Sequence, residues 1–243
     1  MSDLQHPSTQ DFTGSERALV AYWAFDGDHR NRVGDTGHAA GVLDEYSASL
    51  YEGSEALFFN GLAKLDVEDN AALHGCADEG FSLEAMIYPR SRSQRGAVVV
   101  RRGRDEATEE RGFELVLDRM KLCFRLLAGD RRLAVAAPLP TDWHYVAATL
   151  HRREEESEHL AVARLWIDGE LAEEQVERGA TPLDFRVEPA NHTIGGRRRS
   201  DFLYGDLDFL RHWDRPLGSE EIIRYARPGI TTKRLKRANL GAY

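Results

Sequence analysis

The sequence predicts an all-β protein folded as a sandwich of two antiparallel sheets. Short segments of alternating apolar and polar residues fill most of the 243-residue chain, and a helix signal occurs only near the C-terminus. Glycines, prolines and runs of mixed charge separate these segments, as they separate strands joined by turns. About a dozen strands and one short C-terminal helix are expected to pack as two sheets around one core.

The first strands are predicted from apolar alternation. Residues 18–25 open the folded part with an apolar run, and residues 81–87 place every second apolar side chain on one face. Residues 113–118 and 121–127 repeat this pattern on either side of Arg119-Met120. We therefore expect a hairpin at this point.

Asp168-Gly169 is the sharpest turn signal in the chain. An Asp-Gly pair between apolar residues supplies the positive φ angles of a tight two-residue turn, which predicts a second hairpin. Further strands are expected at residues 97–101, 131–136, 143–150 and 191–195.

The last predicted strand covers residues 205–213. Simple alternation gives it two faces, with Leu207, Phe209 and Arg211 on one and Asp208, Leu210 and His212 on the other. Ser219 suits the N-cap of a short helix, because Glu220 and Glu221 follow in its first turn.

The chain divides into three parts. Residues 1–17 form a polar N-terminal arm, residues 18–226 one domain, and residues 227–243 a basic tail. The tail is interpreted either as a disordered solubilising end or as a segment that docks on a partner. Both the arm and the tail are candidates for contact with another protein or for self-assembly.

Composition excludes several functions. The net charge of −9 argues against nucleic-acid binding, since such binding needs an excess of Lys and Arg. The sequence shows neither a signal peptide nor a membrane span, so a cytoplasmic location is expected, with signal-independent export left open. Cys76 and Cys123 have no CxxC spacing and are predicted to be buried free thiols.

Two kinds of charge run are distinguished. Residues 102–111 and 152–158 mix both signs and are predicted to be solvated hairpin loops. The second kind is an arginine run flanked by glycines and aromatic residues, a combination able to bind phosphate, sulfate or carboxylate groups. The candidate ligand-binding residues are Arg197, Arg198, Arg199 and Tyr204.

Seven motifs together resemble a known family. In order, they lie at residues 22–26, 35–38, 56–61, 81–89, 143–147, 165–169 and 205–211. Their order and spacing resemble concanavalin A-like, laminin G-like jelly-roll domains. The resemblance implies two curved antiparallel sheets, a concave face that often binds glycans, and a function without catalysis in most members.

Catalysis is tested against the requirement of glycoside hydrolysis for two carboxylates flanking one bond. The resembling glucanases carry Glu, then Asp two residues later, then Glu two or three further along one strand, and we find no such strand. Glu84 stands alone and resembles a structural residue of the family. His144 and His212 are dispersed and are expected to be packed or exposed. The sequence therefore predicts a protein that is not an enzyme.

The family resemblance also implies a structural calcium ion. Matched positions are Asp26, Gly61 and Asp208, and calcium accepts such carbonyl and carboxylate oxygens. The alternative left open is that Asp208 bonds a backbone amide and Asp26 caps a turn.

The expected function is a non-catalytic module that binds a glycan or protein ligand through the concave sheet and its rim loops. The alternative is a structural component of a larger intracellular or viral-type assembly, which would explain the arm and the tail. A divergent glycoside hydrolase is the weaker alternative.

Overall fold

A computed structural model describes residues 18–34, 36–51, 54–74, 79–104, 109–155, 157–186, 190–197 and 201–240. The N-terminal arm, Cys76, Arg198 and Arg199 therefore lie outside the described residues. Cys123 is a free, buried cysteine, and burial raises the pKa of its thiol.

The described residues form fifteen strands, one α-helix and a short 3-10 helix at Ala71–His74. The strands are β1 (Leu19–Trp23), β2 (Ala39–Ala40), β3 (Tyr46–Ala48), β4 (Glu55–Asn60), β5 (Leu65–Val67), β6 (Gly80–Pro89), β7 (Arg95–Arg104), β8 (Glu110–Asp118), β9 (Lys121–Ala128), β10 (Arg131–Pro138), β11 (His144–Glu155), β12 (Glu158–Ile167), β13 (Glu170–Gly179), β14 (Ala190–Ile194) and β15 (Tyr204–Trp213). The helix α1 is Ser219–Leu240.

Two antiparallel sheets form the sandwich. The eight-stranded sheet has the order β13-β12-β11-β6-β15-β4-β3, with β1 paired to β15, and the seven-stranded sheet has the order β10-β9-β8-β7-β14-β5-β2. The all-β, two-sheet fold class is confirmed.

The core lies between the two sheets. Every second side chain of the long strands points inward, as the apolar alternation predicts. Phe81 of β6 crosses the interface between sheets to meet Phe113 of β8, with ring centroids 4.8 Å apart. Packed aromatic rings of this kind hold the sheets together across the whole middle of the sandwich.

The Asp168-Gly169 turn is confirmed, with φ angles of 51° and 82°. The described residues of the two charged runs, in contrast, are mostly strand, while residues 105–108 and 156 lie outside the described residues. Arg104 pairs with Glu110 in the β7-β8 hairpin, and Glu155 pairs with Glu158 in the β11-β12 hairpin. The prediction of loops was wrong for these strand residues, because backbone pairing extends both hairpins into polar sequence.

A bulge at Asp208 overturns the predicted faces of β15. Leu207 pairs with Ile87 and Phe209 with Met86, so Asp208 has no counterpart on β6. One unpaired residue reverses the alternation beyond it. Leu207, Leu210 and His212 consequently point into the core, whereas Asp208, Phe209, Arg211 and Trp213 point outward.

Helix α1 begins at Ser219 as expected but is longer than the predicted short helix. It has 22 residues, and its backbone continues through Pro228 into the segment predicted as a basic tail. Thr232 Oγ1 donates a hydrogen bond to the Pro228 carbonyl at 2.9 Å. Within the described ranges, no helix has the length and apolar character needed to cross a membrane.

Candidate functional site

Helix α1 covers one outer face of the sandwich and leaves the other open. Ile222 and Ala226 are fully buried against Trp213 and Tyr145 of the eight-stranded sheet. No described helix packs on the seven-stranded sheet. Among the described residues, the outer face of the seven-stranded sheet therefore has no helical cover, whereas the eight-stranded sheet keeps one depression of about 480 Å³ beside Arg153 and Arg164.

Four cross-strand rows make up the middle of this open face. Phe113, Leu115 and Leu117 of β8 point into the core, so the residues between them point outward. Row 1 contains Asn191, Arg102, Gly112, Leu127 and Arg132; row 2 contains Thr193, Val100, Glu114, Arg125 and Ala134; row 3 contains Ala97, Val116, Cys123 and Ala136; row 4 contains Arg95, Asp118, Lys121 and Pro138.

Glu114 is the centre of the open face. Its side chain is only 3% exposed, and it accepts hydrogen bonds from Arg102 Nη1 at 3.2 Å and Arg125 Nη1 at 3.1 Å. Arg102 also bonds Glu110. Burial of the Arg125 guanidinium acts to lower its pKa, but its hydrogen bond to Glu114 and the negative charge of that carboxylate outweigh burial and raise it. The carboxylate thus fixes two guanidinium groups at the surface.

A third arginine reaches Glu114 from the loop before β15. Gly195 has a φ of 78°, and Gly196 bridges to Phe202, which folds this loop back over the sheet. Arg197 Nε lies 3.6 Å from Glu114 Oε2 and 3.9 Å from Asp201 Oδ2. These distances are longer than direct hydrogen bonds, so the Arg197 guanidinium keeps donors for other groups.

Small side chains make the face concave locally. Row 3 has a buried apolar floor of Ala97, Val116 and Cys123, bordered by the charged rows 2 and 4. A depression of about 230 Å³ opens there, lined by Arg95, Val116, Asp118, Arg125, Arg197 and Asp201.

A second depression of about 170 Å³ opens over rows 1 and 2, lined by Arg102, Glu110, Glu114, Arg125, Arg132 and Arg197. Arg125 and Arg197 line both depressions and form a shared ridge. The face therefore offers two adjoining polar subsites.

The covered face also contains a buried glutamate. Glu84 of β6 is fully buried and accepts hydrogen bonds from the Tyr145 hydroxyl and the Trp213 indole. Arg211 Nη1, also fully buried, lies 3.8 Å from Glu84 Oε2, and the Arg211 guanidinium is 4.3 Å from the centre of the Phe209 ring. Helix α1 seals this network from solvent.

Comparison with known proteins identifies the family. Residues 59–223, more than half of the chain, match a laminin G-type family of the concanavalin A-like lectin/glucanases superfamily. The chain belongs to this superfamily. No curated protein sequence matches the chain.

Solved structures with the same fold include a domain of an arabinanase, the binding domain of a mosquitocidal protein and a sialidase CBM40. Domain 4 of AbnA, a GH43 extracellular arabinanase from Geobacillus stearothermophilus solved with arabinotriose, has a TM-score of 0.63 and 14% identity, over 86% of this chain and 98% of that one. The binding domain of Paraclostridial Mosquitocidal Protein 1 has a TM-score of 0.63 and 13% identity, over 88% of this chain and 52% of that one. The CBM40 of Ruminococcus gnavus IT-sialidase, bound to alpha2,3 sialyllactose, has a TM-score of 0.52 and 16% identity, over 70% of this chain and 96% of that one.

The two predicted ligand-binding residues that the structure describes, Arg197 and Tyr204, lie on opposite faces of the sandwich. Arg197 lies on the open face, beside Glu114. Tyr204 lies on the outer face of the other sheet, where its ring meets Phe58 at 5.8 Å. Arg90 stacks on Phe58 and pairs with Asp206 on that same face. Arg197 and Tyr204 therefore do not form one site.

The structure does not bring together the three positions matched to a calcium site of the superfamily. Asp26 Oδ1 accepts a hydrogen bond from the Glu55 amide at 3.2 Å, at the start of β4. Gly61 follows the other end of β4, and six residues of strand span roughly 20 Å. Asp208 is fully buried and bonds Ser49 Oγ. In the described part of the chain, no three His, Cys, Asp or Glu residues are grouped to hold a metal ion. Calcium binding stays a prediction.

The carboxylates of the open face share arginine partners. Glu114 and Asp118 both point outward from β8 and both contact Arg125, whose Nη1 lies 3.1 Å from Glu114 Oε1 and whose Nη2 lies 3.8 Å from Asp118 Oδ2. Both are also paired with arginines, Glu114 with Arg102 and Arg125, and Asp118 with Arg95.

The histidines are packed, as expected. His144 Nδ1 lies 2.8 Å from Asp168 Oδ2 at the β12-β13 turn. His212 is buried between the sheets against Phe81 and Phe113. Burial lowers the pKa of His212 to about 3, and the charge of Arg101 adds to this effect.

Glu114, Arg102 and Arg125 belong to the candidate site but are not among the ligand-binding residues predicted from the sequence. Arg102 was assigned to a solvated loop, and Glu114 and Arg125 were not singled out within the predicted hairpin. A signal was present, because a hairpin between 113–118 and 121–127 places Glu114 opposite Arg125. The contribution of β7, however, depends on long-range pairing that the sequence does not specify.

Proposed function

We propose that this protein is a non-catalytic carbohydrate-binding module that holds an oligosaccharide on the outer face of its seven-stranded sheet. The observation that carries the proposal is the pair of adjoining depressions that share the Arg125 and Arg197 ridge. Guanidinium and carboxylate groups fixed by mutual ion pairs are preorganised hydrogen-bonding partners for sugar hydroxyls, so little ordering cost remains on binding. Two linked depressions suit a chain of at least two sugar units.

Two further observations support this function. The AbnA domain and the CBM40 were both solved with oligosaccharides, and both share the fold. The carboxylates Glu114 and Asp118 are each paired with arginines, which favours a role in holding the binding surface over a role in hydrolysis.

The test is a comparison of two matched arginine variants. Arg125 lies on the open face and is bound to Glu114, whereas Arg164 lies on the other sheet and is bound to Glu174. Both side chains are 31% exposed, and denaturant unfolding of the two variants would check that neither change disrupts the fold. Oligosaccharides found on a glycan array would be measured by calorimetry against both variants.

We expect Arg125→Ala to weaken binding about tenfold or more and Arg164→Ala to leave it unchanged. Amide chemical shifts should change on β7–β10 when the oligosaccharide is added. Shift changes confined to the other sheet, or equal losses in both variants, would contradict the proposal. Binding of only a protein ligand on the open face would replace the carbohydrate with the other ligand class expected from the sequence.

A further inference from the structure

We propose that the oligosaccharide bound on the open face is acidic and that Arg132 binds its carboxylate or sulfate group. This inference rests on the proposed function, and it follows from a count of charges. The two depressions are lined by five arginines and four carboxylates: Arg95, Arg102, Arg125, Arg132 and Arg197, with Glu110, Glu114, Asp118 and Asp201.

Each of the four carboxylates already has an arginine near it. Glu110 and Glu114 bond Arg102, Asp118 lies 3.2 Å from Arg95, and Asp201 lies 3.9 Å from Arg197. The Arg132 side chain is exposed and makes neither an ion pair nor a hydrogen bond to any residue that the structure describes. The two depressions therefore have one arginine more than they have carboxylates, and that arginine is Arg132.

The register of the strands explains why Arg132 lacks a partner. Its neighbour directly across β9 is Leu127, and the residue opposite Arg125 is Ala134. Arg132 and Arg125 are thus diagonal neighbours on one face, close enough for their guanidinium groups to act on one ligand. Arg102 lines the same depression, bonded to Glu110 and Glu114. In the β9-β10 pair, neither of the cross-strand neighbours of these two arginines, Leu127 and Ala134, carries a carboxylate, and an acidic ligand group would supply one between Arg132 and Arg125.

The surroundings favour an acid bound at this point. The chain as a whole carries a net charge of −9, which would repel an anionic ligand. Four arginines and two carboxylates line the smaller depression, so this part of the surface has a local excess of positive charge. Guanidinium groups pair with carboxylate and sulfate through two parallel hydrogen bonds, which gives selectivity over a neutral hydroxyl.

The experiment compares trigalacturonate, its neutral methyl ester and a sulfated trisaccharide, titrated into the full chain in the presence of a chelator. We expect the two acids to bind about tenfold or more tightly than the ester. This advantage should shrink as salt is added, because the charges lie at the surface. Amide chemical shifts of β8–β10 report whether each trisaccharide binds on the open face.

Arg132→Gln should remove the advantage of the acids while leaving the affinity for the ester unchanged. Arg178→Gln is the matched control, since Arg178 is also an exposed strand arginine but lies on the other sheet. Arg132→Lys should restore part of the advantage, because it keeps the charge but loses the planar fork.

The outcomes separate the two proposals. If the methyl ester binds the open face as tightly as the acid, the acidic ligand is wrong and the carbohydrate-binding function stands. If Arg132→Gln leaves the advantage of the acids intact, the role of Arg132 is wrong. If no trisaccharide shifts β8–β10, both proposals fail. Tighter binding of an oligoribonucleotide to the same face would assign the anion site to phosphate instead.

Discussion

Two buried glutamates, one on each outer face of the sandwich, have opposite surroundings. Glu84 lies under helix α1, where it bonds a tyrosine hydroxyl and an indole and has the fully buried Arg211 3.8 Å away. Glu114 lies on the open sheet and bonds Arg102 and Arg125, whose guanidinium groups reach the solvent. The first network ends in apolar contacts with the helix, whereas the second ends in two surface depressions.

The comparison of Glu84 with Glu114 shows that a buried glutamate can serve two different purposes. A buried carboxylate that is sealed from water and bonded to a tyrosine, an indole and an arginine ties structural elements together, and its removal takes the negative charge away from a buried arginine. A buried carboxylate that holds several partly exposed arginines costs less to remove, because water can solvate those arginines. It is instead suited to keep them in place for a ligand.

The largest effect is expected from breaking the sealed network. Glu84→Ala leaves Arg211 as a buried charge without its carboxylate and should lower the free energy of unfolding by about 3–5 kcal/mol. Denaturant unfolding of the variant measures this loss. Glu84→Gln, which keeps an acceptor for Tyr145, should lose less. A loss below about 1 kcal/mol for Glu84→Ala would remove the contrast between the two glutamates.

The next largest loss of stability is expected from substitutions in helix α1, which covers the eight-stranded sheet. Ile222 of α1 is fully buried against the eight-stranded sheet, so Ile222→Ala should cost about 2–4 kcal/mol of stability through lost burial and a cavity. Ile223 on the same helix is 41% exposed, and Ile223→Ala serves as the control with a change of about 0.5 kcal/mol or less. If both variants unfold alike, the helix does not cover this face as described.

Low pH is expected to destabilise the protein through a histidine in the core between the sheets rather than through either outer face. His212 lies in the core, and its pKa is lowered to about 3, chiefly by burial, while an unfolded histidine titrates near 6.5. The unfolded chain therefore takes up a proton that the folded chain does not, and stability falls as pH decreases from about 6.5 towards 3.

The expected contribution of His212 is about 1.4 kcal/mol for each pH unit in this window. His212→Gln should reduce the slope of unfolding free energy against pH by about that amount. His159, an intermediate-exposure histidine for which a replacement by Gln leaves the core intact, is the control. An unchanged slope in His212→Gln would show that the acid sensitivity arises elsewhere.

Glu114→Gln should have a smaller effect on stability than Glu84→Ala. The arginines around Glu114 can turn to solvent, so we expect a loss of about 1 kcal/mol, measured by denaturant unfolding. The loss should be smaller at high salt, because salt screens the repulsion among the released arginines. A loss as large as that of Glu84→Ala would mean that the open face is as important to folding as the covered one.

The smallest effect concerns Asp208 on the covered side. Because Asp208 bonds Ser49, Asp208→Asn should lower stability by about 1 kcal/mol, equally in calcium and in chelator. Thermal unfolding under both conditions measures this. A loss that appears only with calcium would instead support the calcium site predicted from the sequence.

Local patterns predicted most of the fold. Alternation placed the β8-β9 hairpin within a few residues, and the Asp168-Gly169 pair placed its turn, because both signals act between neighbours in sequence. Patterns failed where distant strands decide the outcome. Arg102 was predicted to lie in a loop, yet pairing with β8 and β14 makes it part of a strand. Of the predicted ligand residues, Arg197 lies on the open face, and Tyr204 lies on the opposite one because its strand belongs to the other sheet.

The bulge at Asp208 changes which residues of β15 point outward. Before it, the even-numbered residues point outward, and after it the odd-numbered ones do. One continuous strand can thus carry two independent sets of surface residues, Asp206 beside Arg90 at one end and Arg211 with Trp213 beneath the helix at the other. Pairing Asp208 with Met86 in a regular register, without the bulge, would turn Arg211 and Trp213 towards the core while His212 faced the helix.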